Sequence, residues 1–157
     1  MPSKYDELEP VLRKATIFAG LREEGLRTIV EQCEIIKAKT GEIIIHEGTP
    51  ATEILVLLEG RVKITLDQKN TPLEICEFGP GSCLGEASVI GISQHSASAV
   101  VVEDTTFLVL SRKMLMAVFE ADKEFFAYLI LNIARELARR LRQTDGILLS
   151  YVRNQKR

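Results

Sequence analysis

The densest chemistry in this chain lies between Gly79 and Ala97. There Gly79-Pro80-Gly81-Ser82-Cys83-Leu84-Gly85-Glu86-Ala87-Ser88 is followed, nine residues after Glu86, by His95-Ser96-Ala97. A glycine-rich turn presents backbone N–H groups, and the start of a helical turn after Gly85 can cradle an anion without side-chain charge. Glu86, acceptor-only when ionised, suits a charge-assisted bond from a sugar hydroxyl. Ser96 offers a donor, and Ala97 lets the chain pass close by. This is equipment for holding a small phosphorylated sugar. Each residue also has a plainer reading: Glu86 as a solvated turn carboxylate, His95 as a surface residue, Ser96 and Ala97 as the small start of a strand.

Metal and redox chemistry find less support. Cys33, Cys76 and Cys83 are odd in number and lack the paired spacing of a zinc site or a redox dithiol, so they read as reduced structural thiols. Cys83, two residues from Gly85, is placed to line a pocket. His46 and His95 form no His-x-His pair, which argues against a cupin-type metalloenzyme, and nothing marks His46 as a haem ligand. No metal, no cofactor and no catalytic residue is expected.

These residues need a scaffold, and the length sets its scale. A chain of 157 residues, 46% hydrophobic and 27% charged, suits one soluble domain over 1–157. A formal net charge of −2 gives no electrostatic footprint for nucleic acid. No apolar run reaches the 18 or so residues of a spanning helix, so a cytoplasmic protein without membrane contact is expected. Leu8, Val11, Leu12 and then Leu26, Ile29, Val30, Cys33 recur at helical spacing, giving two short amphipathic helices within 1–33. From 34 to 111 the pattern becomes short β-branched runs: Ile43 to Ile45, Ile54 to Leu58, Val62 to Leu66, Leu73 to Phe78, Ala97 to Val102 and Thr106 to Leu110. Turn signals separate them at Thr40-Gly41, Glu59-Gly60, Lys69-Asn70-Thr71-Pro72, Gly79-Pro80-Gly81 and Glu103-Asp104. The fold class expected is mainly β with flanking α, a jelly-roll-like β-roll between helices.

Residues 112–157 return to helix. Ser111 caps a helix over Lys113 to Phe119, and Asp122 caps a longer one running to about Asp145. Ala127, Ile130, Ala134, Leu137 and Leu141, then Thr144, Leu148 and Tyr151 if the helix passes Gly146, step by three and four. That seam suits a partner helix, and a homodimer is expected. Phe126, Leu129 and Ile133 beside it are expected to pack on the roll. Arg135, Arg139, Arg140 and Arg142 read as a solvated face, with Glu136 and Arg140 a favourably ordered pair.

The 79–97 segment resembles the phosphate-binding cassette of cyclic nucleotide-binding domains, in which Gly-Glu is followed at this spacing by Arg, Ser or Ala, then Ala. Ile17-Phe18-Ala19-Gly20-Leu21, Gly41-Glu42-Ile43-Ile44 and Leu57-Leu58-Glu59-Gly60-Arg61-Val62 resemble the family's N-terminal helices and first strands, in order. The likeness is greatest to sensor domains of the catabolite activator type. It implies that Gly85, Glu86, Ala87, His95, Ser96 and Ala97 hold a cyclic nucleotide, cyclic AMP or cyclic GMP. Glu86 would take the ribose hydroxyl, and Val62, Ile64 and Leu84 would wall the base. Ala138-Arg139-Arg140-Leu141-Arg142-Gln143-Thr144 resembles that family's central-helix segment, so Thr144 would read the base. His95 stands where the family carries its phosphate-binding arginine, and Arg140 could reach toward the phosphate in its place. No helix-turn-helix segment is visible after Asp145, so direct DNA binding is not expected and output would pass to a partner protein. The alternative is a ligand-free dimeric interaction module with a degenerate nucleotide pocket.

Overall fold

The computed structural model describes residues 1–68 and 71–156. It opens with helix α1 (Lys4–Leu12), whose start is fixed by a reciprocal capping box between Ser3 and Asp6. A 3-10 turn (Thr16–Phe18) and helix α2 (Glu23–Gln32) follow. Then come β1 (Glu34–Ala38), β2 (Ile43–Ile45), β3 (Glu53–Gln68), β4 (Thr71–Phe78) and β5 (Cys83–Leu84). The short helix α3 (Glu86–Ile90) and the long strand β6 (Ser98–Ser111) lead into α4 (Arg112–Ala121) and α5 (Lys123–Gln155). Ser111 and Asp122 cap the last two helices as expected, accepting from the Met114 and Phe125 N–H groups at 3.0 Å each.

The six strands form one antiparallel sheet in the order β1-β6-β3-β4, with β2 also paired to β6 and β5 to β3. Two expected pairs of short strands are each a single bent strand. Ile54 to Leu58 and Val62 to Leu66 join in β3, and Ala97 to Val102 and Thr106 to Leu110 join in β6. The supposed turns at Glu59-Gly60 and Glu103-Asp104 are opposed bulges, where the β3–β6 register shifts between Leu57 and Val62. Gly60 has φ +91°, and a side chain there would collide with the Asp104 carbonyl and Thr105. Of the turn expected over Lys69-Asn70-Thr71-Pro72, Lys69 and Asn70 lie outside the described residues, and Thr71 and Pro72 open β4. The strand β1 and the short β5 have no counterpart among the expected runs.

Central strands bury both faces, which is why they read as continuous apolar runs. On β3, Ile54, Val56 and Leu58 face the helices with Leu108 and Leu110 of β6. Leu55, Leu57 and Val62 fill the roll interior with Phe107, Val109 and Ala99. Helix α5 continues ten residues beyond its expected end at Asp145, with Gly146 inside it. Phe125, Leu129 and Ile133 anchor it to the helix-side core, and buried Asn132 donates to the carbonyls of Ile17 and Ala19 at 3.0 and 2.8 Å. The seam divides: Ile130 and Leu137 are half-buried against that same core, whereas Leu141, Leu148 and Tyr151 are about 60% exposed. Among the described residues, no helix is long and apolar enough to cross a membrane.

Candidate functional site

The cassette is held in place by its backbone. Gly85 caps α3 at φ +83°, and a side chain there would sit 2.9 Å from the Glu53 carbonyl oxygen and 3.3 Å from His95 Cε1. Glycine is thus required both by conformation and by the close passage of the His95 ring. The return segment is stitched to the loop after β2. The Gly48 N–H donates to the His95 carbonyl at 2.8 Å, and the His95 N–H donates to that of Thr49 at 2.9 Å. Ser88 ties the ends of the excursion together, its Oγ donating to the Gln94 carbonyl at 3.2 Å and its own carbonyl accepting from the Ser93 N–H at 2.9 Å. Arg112 links the excursion to the loop before β3, donating through Nη2 to the Ala51 carbonyl at 2.7 Å and to that of Val89 at 3.4 Å. Within the loop, Ile92 takes φ +51°, an uncomfortable conformation for a β-branched residue.

A cavity of about 520 Å³ opens between this cassette, strands β3 and β4, and helix α5. Gly85, Glu86, Ala87, His95, Ser96, Ala97 and Thr144 all line it, as do Ile64 and Leu84. Val62 does not. It shares a strand face with Ile64 but lies one step nearer the closed centre of the roll, where it is fully buried in the core that Ile64 packs against. Sequence reading missed Leu66, Ile75, Cys76, Phe78, Gln143 and Ile147 in the lining. Two periodicities could have found several of them. Leu66 is two residues from Ile64 on one strand face, and Gln143 and Ile147 lie three and seven residues beyond Arg140 on one helix face.

The charged centre of the cavity joins two distant segments. Glu86 is 3% exposed, and one of its carboxylate oxygens, Oε1, accepts from Arg140 Nη1. Arg140 also donates to Glu136 through Nε at 3.0 Å and to the Cys83 carbonyl through Nη2 at 2.7 Å, with its guanidinium 4.6 Å from the centre of the Phe78 ring. At 20% side-chain exposure it belongs to the cavity and not to a solvated face. Its donors are directed at protein acceptors, not left free to face a phosphate. Glu136 is itself buried, bonded by Arg139 and by Thr16 Oγ1 at 3.0 Å. Among the described residues, Glu86 Oε2 is buried with no hydrogen-bond partner.

These surroundings set the protonation states. Desolvation pushes the Glu86 carboxyl above its ordinary range, only partly offset by Arg140. Desolvation works the same way on Glu136, but the bonds from Arg139 and Thr16 and the charge of Arg140 outweigh it and hold that carboxyl low. Burial depresses His95, so its imidazole is neutral at pH 7. Cys83 and Cys33 are buried thiols pushed up by desolvation, Cys33 to about 12, and all three cysteines are free. His46 is exposed and does not line the cavity, and no cluster of three or more metal-ligating side chains occurs among the described residues.

Residues 35–122 match the family model of the cyclic nucleotide-binding domain. The CRP-like cAMP-activated global transcriptional regulator of Mycobacterium tuberculosis is 25% identical over 148 residues, covering 92% of this chain and 63% of the regulator. The crystal structure of a cyclic nucleotide-binding domain from Methylobacillus flagellatus superposes with a TM-score of 0.82 at 25% identity, covering 92% of this chain and 82% of that one. The Thermus thermophilus catabolite activator protein gives 0.75 at 28% identity, over 85% of this chain and 62% of its own. This chain therefore spans somewhat less than two thirds of the regulators it matches.

Proposed function

Because this chain belongs to the cyclic nucleotide-binding domain family, we propose that it is a small-molecule-sensing regulatory module, not an enzyme, whose cavity takes cyclic AMP or cyclic GMP. The observation that carries the proposal is the unpartnered Glu86 Oε2, buried in a cavity wall. A buried carboxylate oxygen without a donor is costly, and a ligand hydroxyl is the group that satisfies it. The ribose 2′-hydroxyl of a cyclic nucleotide is such a donor. The cassette backbone at Gly85 to Ala87, with His95 and Ser96, then faces the phosphodiester, and Thr144 faces the base.

Charge decides how the phosphate is met. Glu86 and Glu136 are balanced by Arg139 and Arg140, so the cluster is close to neutral before a ligand arrives. The ligand's negative charge must be answered by backbone N–H groups and by a proton taken up on His95. We place the protein in the cytoplasm as a homodimer through the exposed face of α5, signalling to a partner protein, with no DNA contact from these residues. A second reading, a ligand-free interaction module, is favoured by the same Arg140, already committed to Glu86, Glu136 and the Cys83 carbonyl.

Calorimetric titration with cyclic AMP, cyclic GMP and their linear counterparts separates the two readings. The sensor predicts saturable binding of a cyclic nucleotide and a roughly ten- to 150-fold weaker Kd in Glu86→Ala, the loss of one bond to a charged group. Equal binding by parent and variant would remove Glu86 from the site. No binding by the folded parent would leave the interaction module.

A further inference from the structure

Among the described residues, Glu86 and Arg140 are the charged side chains that line the cavity, and they are bonded to each other. Behind them Glu136 accepts from both Arg139 and Arg140, so the charges of the cluster, two carboxylates and two guanidinium groups, cancel. The donors of Arg140 are spent on Glu86, Glu136 and the Cys83 carbonyl. His95, the other basic side chain of the lining, is kept neutral by burial. Around these groups the wall is apolar, built from Ile45, Ile64, Leu66, Leu84 and Ala99. An anion that enters such a cavity gives up hydration without meeting a free cation, a cost that an uncharged ligand does not incur.

The polar groups that remain are matched to hydroxyls. Glu86 Oε2 needs a donor. The neutral imidazole of His95 carries one donor and one acceptor nitrogen, and the Ser96 hydroxyl likewise donates and accepts. A sugar hydroxyl answers both capacities, whereas a phosphate oxygen only accepts and leaves the acceptor side of His95 and Ser96 facing its lone pairs. We infer that the cavity also takes the uncharged ribonucleoside, its ribose hydroxyls held by Glu86, Ser96 and His95, with an affinity comparable to that for the cyclic nucleotide. The 2′-hydroxyl meets Glu86 in both ligands, and the 3′- and 5′-hydroxyls of the nucleoside stand where the phosphodiester would. The inference rests on the nucleotide reading of the same cavity and extends it from the anion to its uncharged parent.

The probes are adenosine and cyclic AMP, which share the base and the 2′-hydroxyl and differ in the phosphodiester. Parent and His95→Arg are titrated with each by calorimetry at pH 8, and thermal melts verify that the variant is folded. In the parent the two Kd values should agree within about tenfold, because the phosphate gains only bonds of neutral strength. Excess cyclic AMP should abolish the heat of adenosine binding, as one shared cavity requires. His95→Arg should tighten cyclic AMP by about tenfold or more and change adenosine less than about threefold, since only cyclic AMP brings a charge to the guanidinium. A parent that binds cyclic AMP but adenosine more than about tenfold more weakly, or a variant that tightens both ligands equally, would overturn the inference and leave the cyclic nucleotide reading standing. A parent that binds adenosine alone would uphold the inference and remove the cyclic nucleotide. Binding of neither would overturn both.

Discussion

Replacing His95 by arginine isolates the one position where the cassette departs from its family's pattern. The imidazole lies beside Gly85 at the cavity wall, and burial keeps it neutral in the free protein. A neutral ring supplies one donor, whereas a guanidinium supplies a permanent charge and a fork. A hydrogen bond to a charged group contributes about 1.5–3 kcal/mol, so His95→Arg should tighten cyclic nucleotide binding roughly ten- to 150-fold at pH 7. The repulsion from Arg140 is small, because Glu86 and Glu136 already neutralise it.

The pH dependence follows from the same geometry. Burial lowers the free-state pKa of His95 below its usual 6.5, and a bound phosphate raises it. Binding therefore takes up as much as one proton, and affinity rises as pH falls from 8 toward 6, by at most tenfold per unit. Glu86 opposes this at the acid end. Its carboxyl is pushed above the ordinary range by burial, so it takes up a proton earlier than an exposed glutamate and surrenders its acceptor role. The parent should show an affinity maximum on the acid side of neutrality. In His95→Arg the rise from pH 8 disappears and only the acid loss remains. Cys76 and Cys83 stay protonated throughout, since burial raises both thiols. Calorimetry at pH 8, 7, 6 and 5 on both proteins is the measurement. A flat parent profile together with an unstrengthened variant would refute the placement of His95 against the phosphate.

Two further outcomes test the scaffold. Leu141 is 63% exposed on α5, so Leu141→Asp should leave the fold intact and convert a dimer to a monomer in sedimentation; a monomeric parent, or a variant that still dimerises, would count against the α5 interface. Ile92 is 79% exposed at φ +51°, so Ile92→Asn relieves left-handed strain at no cost in buried area and should stabilise the protein by about 0.5–1 kcal/mol, or roughly 1–4 °C in Tm. An unchanged or lower Tm would show that the loop carries no strain.

Much of the fold was legible because its cores are separated by periodicity. Apolar runs such as Ile54 to Leu58 read as strands whichever face they served, since one face packs the helices and the other fills the roll. What misled was glycine. At Gly60 a positive φ makes a bulge inside a continuous strand, and the same residue type and neighbours would make a turn; only the partner strand at Glu103 to Thr106 distinguishes the two. At Gly146 the glycine lies in mid-helix. Its cost of about 1 kcal/mol is outweighed by good helix formers on both sides, from Leu141 to Gln143 and from Leu148 to Leu149. The misplacement of Val62 has another cause: it shares the face of Ile64, and strand alternation gives the face but not the depth at which the roll core closes over a side chain.

The site divides along the same line between local and distant information. Residues 79–97 form a contiguous cassette, so the gathering of Gly85, Glu86, Ala87, His95, Ser96 and Ala97 on one cavity could be read from their closeness in sequence. Arg140 was legible only in part: its spacing from Glu136 was readable, but its bond to Glu86 was not, and as one of four arginines it read as a solvated face. Its role is set by Glu86, 54 positions away in sequence, and the pairing becomes possible only once Asn132 and Glu136 lock α5 against the 3-10 turn. Glu136 then does two things at once: it holds Thr16, and one helical turn later it orients the Arg140 fork so that its outer nitrogens reach Glu86 and the Cys83 carbonyl. Because Arg140 takes only one oxygen of Glu86, the other stays buried without a hydrogen-bond partner among the described residues. One carboxylate thus fastens α5 to the roll and, in the reading proposed above, receives the ligand. Any substitution at Glu86 must therefore be judged by its effect on both the ligand and the seating of α5.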